Sequence, residues 1–172
     1  MERITFEEKT KLESIYQRFL NDPKIKRLKE IRMHRGSNVY IHSFKVAKVA
    51  IKRAIRRKKQ LDLEAILVAS ILHDYYLYDW RKNRELKKKH ASSHPKTAAI
   101  NARRDFEISD KVESIILSHM WPINFRTFPD STEARIVANA DNVVANKEVI
   151  TSINFKSKRM DFYYKSIEKL FD

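Results

Sequence analysis

The near absence of turn-forming residues restricts the folds open to this chain more than any other feature. Its 172 residues include one glycine, Gly36, and four prolines. An all-β fold joins short strands by many tight turns, and those turns depend on glycine and proline. Nearly every segment instead repeats its apolar residues at helical spacing, and none shows the alternation of a half-buried strand. The sequence therefore predicts an all-α fold, an irregular helical bundle.

Length and composition indicate a single globular domain. Hydrophobic residues make up 42% of the chain, which is enough to build a sizeable core at this length. We therefore expect one domain over residues 1–172. Cysteine is absent, which excludes disulfides and thiolate zinc sites. The sequence has no apolar run of membrane-spanning length and no signal peptide at its start, so we expect a cytoplasmic protein without membrane association.

The charge of the chain is strongly positive and unevenly spread. The formal net charge is +14. From Ile31 to Leu61 there are ten Lys and Arg residues and no Asp or Glu, and a second basic stretch runs from Arg81 to Lys89. Such fields attract phosphate groups on nucleotides, nucleic acids or anionic lipids. For any single lysine, however, a solvated surface position is the more common situation.

Capping signals and apolar stripes predict where the helices lie. We expect residues 75–93 to form a long loop, or a loop with one short helix. A last apolar stripe runs from Met160 to Phe171. The predicted helix starts are Asp22, Ser37, Asp62, Pro95, Asp110 and Asp130. Four of these helices also have a predicted end: the helix from Ser37 ends near residue 59, that from Asp62 near 74, that from Asp110 near 119 and that from Asp130 near 146.

Several ionisable side chains fall on apolar helix faces. His42 shares its face with valines three residues before it and four residues after it, and His119 shares its face with isoleucines. Asp141 interrupts a stripe of alanines and valines. The pair His73-Asp74 directly follows the apolar run LEAILVASIL. Burying such groups is costly unless something pairs with them, so these positions indicate a functional site.

A divalent metal is a partner that accepts imidazole nitrogen and carboxylate oxygen together. A lone histidine on an apolar face is more often a hydrogen-bonded core residue than a ligand, but a set of such residues is harder to explain without a metal. His94, just before Pro95, adds a further imidazole. Mixed His and carboxylate ligation suits iron or manganese, with zinc or nickel as alternatives, better than calcium. The candidate ligands are His42, His73, Asp74, His94, His119 and Asp141.

The order of these residues resembles the HD-domain metal-dependent phosphohydrolase superfamily. The strings NVYIHSFKVA, ILVASILHDYYLYDW and RIVANADNV are similar to the family's first, second and last motif helices, and HPKTAAINA and ILSHMWP to its two intervening His segments. The pattern H…HD…H…H…D resembles the subgroups that hold two metals, among them small bacterial HD hydrolases. The resemblance covers roughly residues 30–150, and it implies an HD-type helical core with N- and C-terminal helices packed on it.

The resemblance implies roles for the candidate ligands. One divalent ion would be held by His42, His73, Asp74 and Asp141. Asp74 would bridge to a second ion, which His94 and His119 would bind. Many HD enzymes carry a charged residue three positions after the motif Asp, where this chain has Leu77. The nearest candidates to act as general acid or base in its place, beside Asp74 itself, are Asp79 and His90.

By this resemblance the expected activity is hydrolysis of a phosphate ester by a metal-activated water. The expected substrate is a nucleotide or another small phosphorylated metabolite. Basic residues near the ligand positions are the expected phosphate contacts. They are His34, Arg35, Lys45 and Lys96.

Two other functions fit parts of the sequence. The acid-free segment from Ile31 to Leu61 fits a basic, nucleic-acid-binding helical protein, for which binding would depend strongly on salt. A di-iron oxygenase on the same scaffold would use the same ligands, and only metal identity and product analysis separate it from a hydrolase. Inward-facing His and Asp residues favour the hydrolase over simple binding, because binding alone does not need them.

Overall fold

Helices make up most of the chain that the structure describes. The computed structural model describes residues 4–33, 37–57, 59–82, 84–154 and 164–171. Within these ranges the extended pairing is limited to one isolated antiparallel bridge, between Arg32 and Asn38. The predicted all-α class is confirmed. The helices are α1 (Phe6–Asn21), α2 (Pro23–Lys26), α3 (Val39–Arg56), α4 (Leu63–Leu72), α5 (Arg84–Phe106), α6 (Asp110–Ser118) and α7 (Thr132–Asn154), with 3₁₀ turns at Arg27–Glu30 and Trp80–Lys82.

Helix α4 lies at the centre of the fold. It contacts α3 most extensively, and also α6, α7 and α1. Its side chains Ile66, Leu67 and Ile71 are fully buried. A helix that is apolar on all sides is stable in water only when other helices surround it. The residues that follow α4, His73 and Asp74, are therefore delivered into the interior rather than to the surface.

Side-chain caps fix several helix starts. The carboxylates of Asp22 and Asp62 accept backbone N–H groups at the starts of α2 and α4, as predicted. The predicted cap of α3 at Ser37 is wrong, because Asn38 is the capping residue and its side-chain oxygen accepts the N–H of Ile41 at 2.9 Å. The Ser37 hydroxyl instead donates to the carboxylate of Glu148 at 3.1 Å.

Helix α5 begins earlier than the sequence indicated. The prediction of a loop over residues 75–93 is wrong in its second half, since α5 starts at Arg84 and continues through Pro95. A proline inside a helix removes one backbone donor. Side-chain donors of the preceding turn bond to helix carbonyls here: the Ser93 hydroxyl donates to the Lys89 carbonyl at 2.9 Å, and His94 Nδ1 donates to the His90 carbonyl at 2.8 Å.

The last two helices also differ from the sequence prediction in detail. Ser109, not Asp110, caps α6, and its hydroxyl accepts the N–H of Val112 at 3.3 Å. Helix α7 was expected to end near Asn146 but continues to Asn154. The added turns carry Glu148, a buried carboxylate.

The C-terminal residues that the structure describes pack against α1. The Tyr16 hydroxyl donates to the Ile167 carbonyl at 2.8 Å, and the Glu13 carboxylate accepts the N–H of Leu170. Both Ile167 and Leu170 are buried. The first part of the predicted C-terminal stripe, residues 160–163, lies outside the described residues.

One connected hydrophobic core contains buried residues from Leu12 to Leu170. This arrangement is what a single domain requires, and the single-domain organisation stays a prediction. No helix in the described ranges combines the length and the apolar character needed to cross a membrane.

Candidate metal centre

The structure brings all six predicted ligands together in the core. They come from different elements: His42 from α3, His94 from α5, Asp141 from α7, and the others from the ends of α4 and α6. Five of the six are buried, and the Asp141 side chain is 13% exposed. In three sets, the candidate ligand atoms lie within 4.8 Å of one another. These sets are His42–His73–Asp74, His73–His119–Asp141 and Asp74–His94–His119.

Asp74 lies between two groups of ligands. Its Oδ2 is 3.4 Å from His73 Nε2, and its Oδ1 is 3.2 Å from His94 Nε2 and 3.7 Å from His119 Nε2. On the other side of His73, the Asp141 Oδ1 atom is 3.7 Å from His73 Nε2. The two oxygens of one carboxylate thus face different sets of imidazoles. This arrangement is suited to holding either one ion or two.

Hydrogen bonds to the backbone fix the tautomers of three histidines. The Nδ1 atoms of His73, His94 and His119 lie 2.7–2.8 Å from the carbonyl oxygens of the residues three or four positions before them. A carbonyl oxygen only accepts hydrogen bonds, so each Nδ1 carries the hydrogen. In its neutral form, each ring then directs the lone pair of Nε2 into the centre of the cluster, which is the orientation that a metal ligand needs.

Some polar atoms of the cluster lack a hydrogen-bond partner within the described chain, and a cation could take the place of that partner. His94 Nε2 and His119 Nε2 are 3.0 Å apart, although both would present lone pairs in their neutral forms. His73 Nε2 and Asp74 Oδ1 are buried, and neither makes a hydrogen bond within the described chain. Leaving such atoms unpaired in a protein interior is costly. Imidazole nitrogens and carboxylate oxygens are borderline-to-hard donors, so the residues fit a divalent transition ion.

His42 is held differently from the other histidines. Its Nε2 is 2.9 Å from Asp141 Oδ1, and its Nδ1 is 3.1 Å from Glu148 Oε2. Glu148 also accepts hydrogen bonds from Lys45 Nζ at 3.0 Å and from the Ser37 hydroxyl. Glu148 is not among the predicted site residues, because it lies beyond the predicted end of α7 near Asn146. The available signal was its spacing: Glu148 lies seven residues after Asp141, two helical turns along the same face.

The electrostatics of the cluster favour paired charges. Burial disfavours the charged form of His42, but its hydrogen bonds to Asp141 and Glu148 outweigh burial and raise its pKa to about 10. For Asp74, burial is opposed by the positive charge of His73 and by His94, whose Nε2 lies 3.2 Å from Oδ1, and together they lower its pKa. Burial and the neighbouring positive charge of His73 lower the pKa of His119 to about 3. The His119 ring is therefore neutral at pH 7, and its Nε2 lone pair is available to a metal ion.

His90 lies beside the cluster in a wall of aromatic rings. Its ring stacks on His94 with centroids 4.5 Å apart and on Trp80 at 4.9 Å, and its Nδ1 is 3.1 Å from the Tyr78 hydroxyl. Burial and the nearby charge of His94 lower its pKa to about 4. None of the three ligand sets includes His90. Of His90 and His94, the two histidines of α5, the geometry therefore favours His94 as the candidate metal ligand.

The other predicted catalytic residue, Asp79, has a local structural contact. Its Oδ1 accepts the N–H of Arg81 at 3.1 Å, which caps the 3₁₀ turn Trp80–Lys82. Leu77, at the position where many HD enzymes carry a charged side chain, is half-buried and has a positive φ of 57°. The catalytic roles of Asp79 and His90 stay predictions.

The described members of the predicted phosphate contacts do not cluster at one place, as the candidate metal ligands do. Lys45 pairs with Glu148 on the Nδ1 side of His42. Lys96 is exposed on α5, two residues after buried His94, and residues at that spacing point to different sides of a helix. His34 and Arg35 lie outside the described residues. The substrate-binding roles of all four stay predictions.

A family model for the HD domain matches residues 39–146, a range that contains all six clustered ligands. The searches of curated proteins and of solved structures found no match. The matched range spans more than half of the chain and agrees with the helical fold and the buried His and Asp cluster. The chain therefore belongs to the HD domain family, within the metal-dependent hydrolase superfamily.

Proposed function

We propose that this protein is a metal-dependent phosphohydrolase or phosphodiesterase acting on a nucleotide or another small phosphorylated metabolite. The observation that carries the proposal is the position of Asp74, whose two carboxylate oxygens face His73 on one side and His94 with His119 on the other. A carboxylate in this position can bridge two ions. Two-ion sites are a common solution for displacement at phosphorus.

In this proposal, His42, His73, Asp74 and Asp141 hold one ion, and His94 and His119 with Asp74 hold the other. Iron or manganese is favoured, with zinc or nickel as alternatives. When bound, such ions supply a water of lowered pKa and positive charge for the phosphate oxygens. Asp141, the ligand with partial exposure, lies at the side of the cluster that solvent reaches.

The protein's own groups would manage the substrate charge and the protons. Hydrolysis forms one P–O bond to water and breaks the bond to the leaving group, which receives a proton. Because its pKa is about 4, His90 suits a proton acceptor better than an imidazolium donor at pH 7. The net charge of +14 favours anionic substrates by long-range attraction.

The test is a phosphate-release assay with metal-free protein reloaded with Mn²⁺, Fe²⁺, Zn²⁺ or Ni²⁺. The substrates are nucleoside mono-, di- and triphosphates, p-nitrophenyl phosphate, and the diester bis-p-nitrophenyl phosphate. We expect hydrolysis with at least one metal and a loss of more than 100-fold in Asp74→Asn. The variant Asp62→Asn, in which asparagine can still cap α4, is the matched control and should retain activity.

Three results would contradict the proposal. Equal phosphate release by wild type and Asp74→Asn would assign the activity to a contaminant. Metal binding without hydrolysis, combined with oxygen consumption by the iron-loaded protein, would favour the di-iron oxygenase. Salt-dependent binding of RNA or DNA by a protein that takes up no metal would favour the nucleic-acid-binding alternative.

A further inference from the structure

Glu148 is a buried carboxylate that the metal-ligand pattern does not include. It lies on α7, two helical turns after Asp141, and is 5% exposed. A buried carboxylate needs hydrogen-bond donors or a positive charge to offset the cost of removing it from water. Its position therefore depends on the groups that contact it.

Those contacts join three parts of the fold. Glu148 Oε2 lies 3.1 Å from His42 Nδ1, while Oε1 accepts from Lys45 Nζ at 3.0 Å and from the Ser37 hydroxyl at 3.1 Å. His42 and Lys45 are neighbours one turn apart on α3. The Lys45 ammonium and the Ser37 hydroxyl both donate to Oε1, and the positive charge of Lys45 at 3.0 Å offsets the charge of a buried carboxylate.

An ionised carboxylate only accepts hydrogen bonds, so the contact requires a hydrogen on His42 Nδ1. Nε2 is then the ring atom directed at Asp141 and the ligand cluster, at 2.9 Å from Asp141 Oδ1. The Nδ1 atoms of His73, His94 and His119 bond to backbone carbonyls, which no substitution can remove. Of the four clustered histidines, His42 is the one whose Nδ1 contacts a side chain within the part of the chain that the structure describes. Its orientation can therefore be tested by mutation.

We propose that Glu148 is a positioning residue for the metal centre, holding His42 with Nε2 directed at the ion that His42 shares with His73, Asp74 and Asp141. A negative acceptor on Nδ1 also makes Nε2 a stronger donor to a metal. Lys45 and Ser37 hold the carboxylate in place. The inference rests on the metal centre of the proposed function, but not on the reaction that the centre catalyses.

The test is titration of metal-free protein with Mn²⁺ by calorimetry, for wild type, Glu148→Gln and Glu148→Ala. We expect Glu148→Ala to weaken one of the two binding events by about 10–100-fold and to leave the other unchanged. Glu148→Gln keeps the size and one neutral acceptor oxygen. It should therefore retain part of the lost affinity, and this graded rescue is not expected from a general loss of packing.

Glu133→Gln is the matched control. Glu133 is also a largely buried glutamate on α7, and it pairs with Lys111 at 3.0 Å, away from the ligand cluster. This variant should lower thermal stability without changing either Mn²⁺ affinity. Lys45→Met is a second test, because it removes the hydrogen bond from Lys45 to Glu148 and leaves the His42 side chain unchanged. It should weaken the same binding event, by less than Glu148→Ala does.

Wild-type affinities for both ions in Glu148→Gln and Glu148→Ala would overturn the inference. Equal weakening of both events would also overturn it, because it would show a general structural effect. If Glu148→Ala does not fold, the Mn²⁺ affinities of Glu148→Gln and Lys45→Met test the inference instead. Failure of the metal centre itself would appear differently: wild type would bind no ion, or Asp74→Asn would bind ions as wild type does.

Discussion

His94 Nε2 and His119 Nε2 lie 3.0 Å apart in the core, and each ring uses its Nδ1 hydrogen for a backbone carbonyl. Two lone pairs at this distance repel each other unless a cation lies between them or one ring is protonated. Burial and adjacent positive charge oppose protonation of His119. A metal ion would take up the lone pairs of both rings, so the pair is suited to hold one.

Removing the metal should lower the melting temperature. An ion present at about 100 times its dissociation constant stabilises the folded state by about 2.7 kcal/mol. In a chain of this size that corresponds to about 5–10 °C. Thermal unfolding followed by circular dichroism, with EDTA and then with excess Mn²⁺, measures the shift. The double variant His73→Ala/Asp74→Ala is the control and should show no metal-dependent shift; an equal shift would argue against this centre.

Replacing the bridging carboxylate should reduce metal content. Asp74→Asn keeps the shape of the side chain but removes its charge, so neither ion gains an anionic ligand from it. We expect a fall from about two ions per chain to one or none, measured by inductively coupled plasma mass spectrometry after purification without chelator. Asp62→Asn, at the other end of α4, should keep the wild-type content. Wild-type content in Asp74→Asn would exclude a bridging role.

His90 should make the metal-free protein less stable in weak acid. Its pKa is about 4 in the folded state and near 6.5 in a flexible chain, so the unfolded state binds more protons between these values. Its contribution is present above pH 6.5 and is lost as the pH falls toward 4. His90→Phe keeps an aromatic ring beside Trp80 but removes the titrating group.

Urea unfolding at pH 7.5 and pH 5.0, in the presence of EDTA, measures this effect. The loss of unfolding free energy on acidification should be smaller in His90→Phe than in wild type. Some loss should remain, because the pKa of His119 is lowered in the same direction. An identical loss in both proteins would contradict the low pKa of His90.

The C-terminal residues should stabilise the fold through Tyr16. Tyr16→Phe leaves the buried Ile167 carbonyl without its donor, which should cost about 1–2 kcal/mol. Thermal unfolding measures the loss as a lower midpoint. Tyr76→Phe is the control, since the buried Tyr76 hydroxyl has no hydrogen-bond partner within the described chain, so its removal should cost little. Equal effects of the two substitutions would show that the 2.8 Å contact contributes no stability.

The candidate ligands can be found from the sequence because their signal is local. A charged or imidazole side chain on an apolar helix face is visible from residue spacing alone, and His42, His119 and Asp141 were identified in this way. All six predicted ligands meet in the core. The caps of α2 and α4 at Asp22 and Asp62 are also local features, since a cap bonds to the next turn of its own helix.

The errors have two sources. Pro95 predicts a helix start, but α5 continues through it, and Ser93 and His94 make local side-chain bonds to carbonyls of the preceding turn. Tertiary contacts account for the second: α7 extends past Asn146, and the Glu148 that it carries there is bonded by His42 and Lys45 of α3 and by Ser37. Such contacts join residues about a hundred positions apart, which periodicity does not record.

The sequence by itself determined the all-α class, the family pattern and the identity of the six candidate ligands, because helical period and residue type carry that information. Only the tertiary structure decided which nitrogen of each histidine faces the centre, that Asp74 lies between two sets of imidazoles, and that Lys45 pairs with Glu148. These relationships depend on how α3, α5, α6 and α7 pack around α4. The physical reason is that hydrogen bonds and charges act over a few ångströms in space, whatever the separation along the chain.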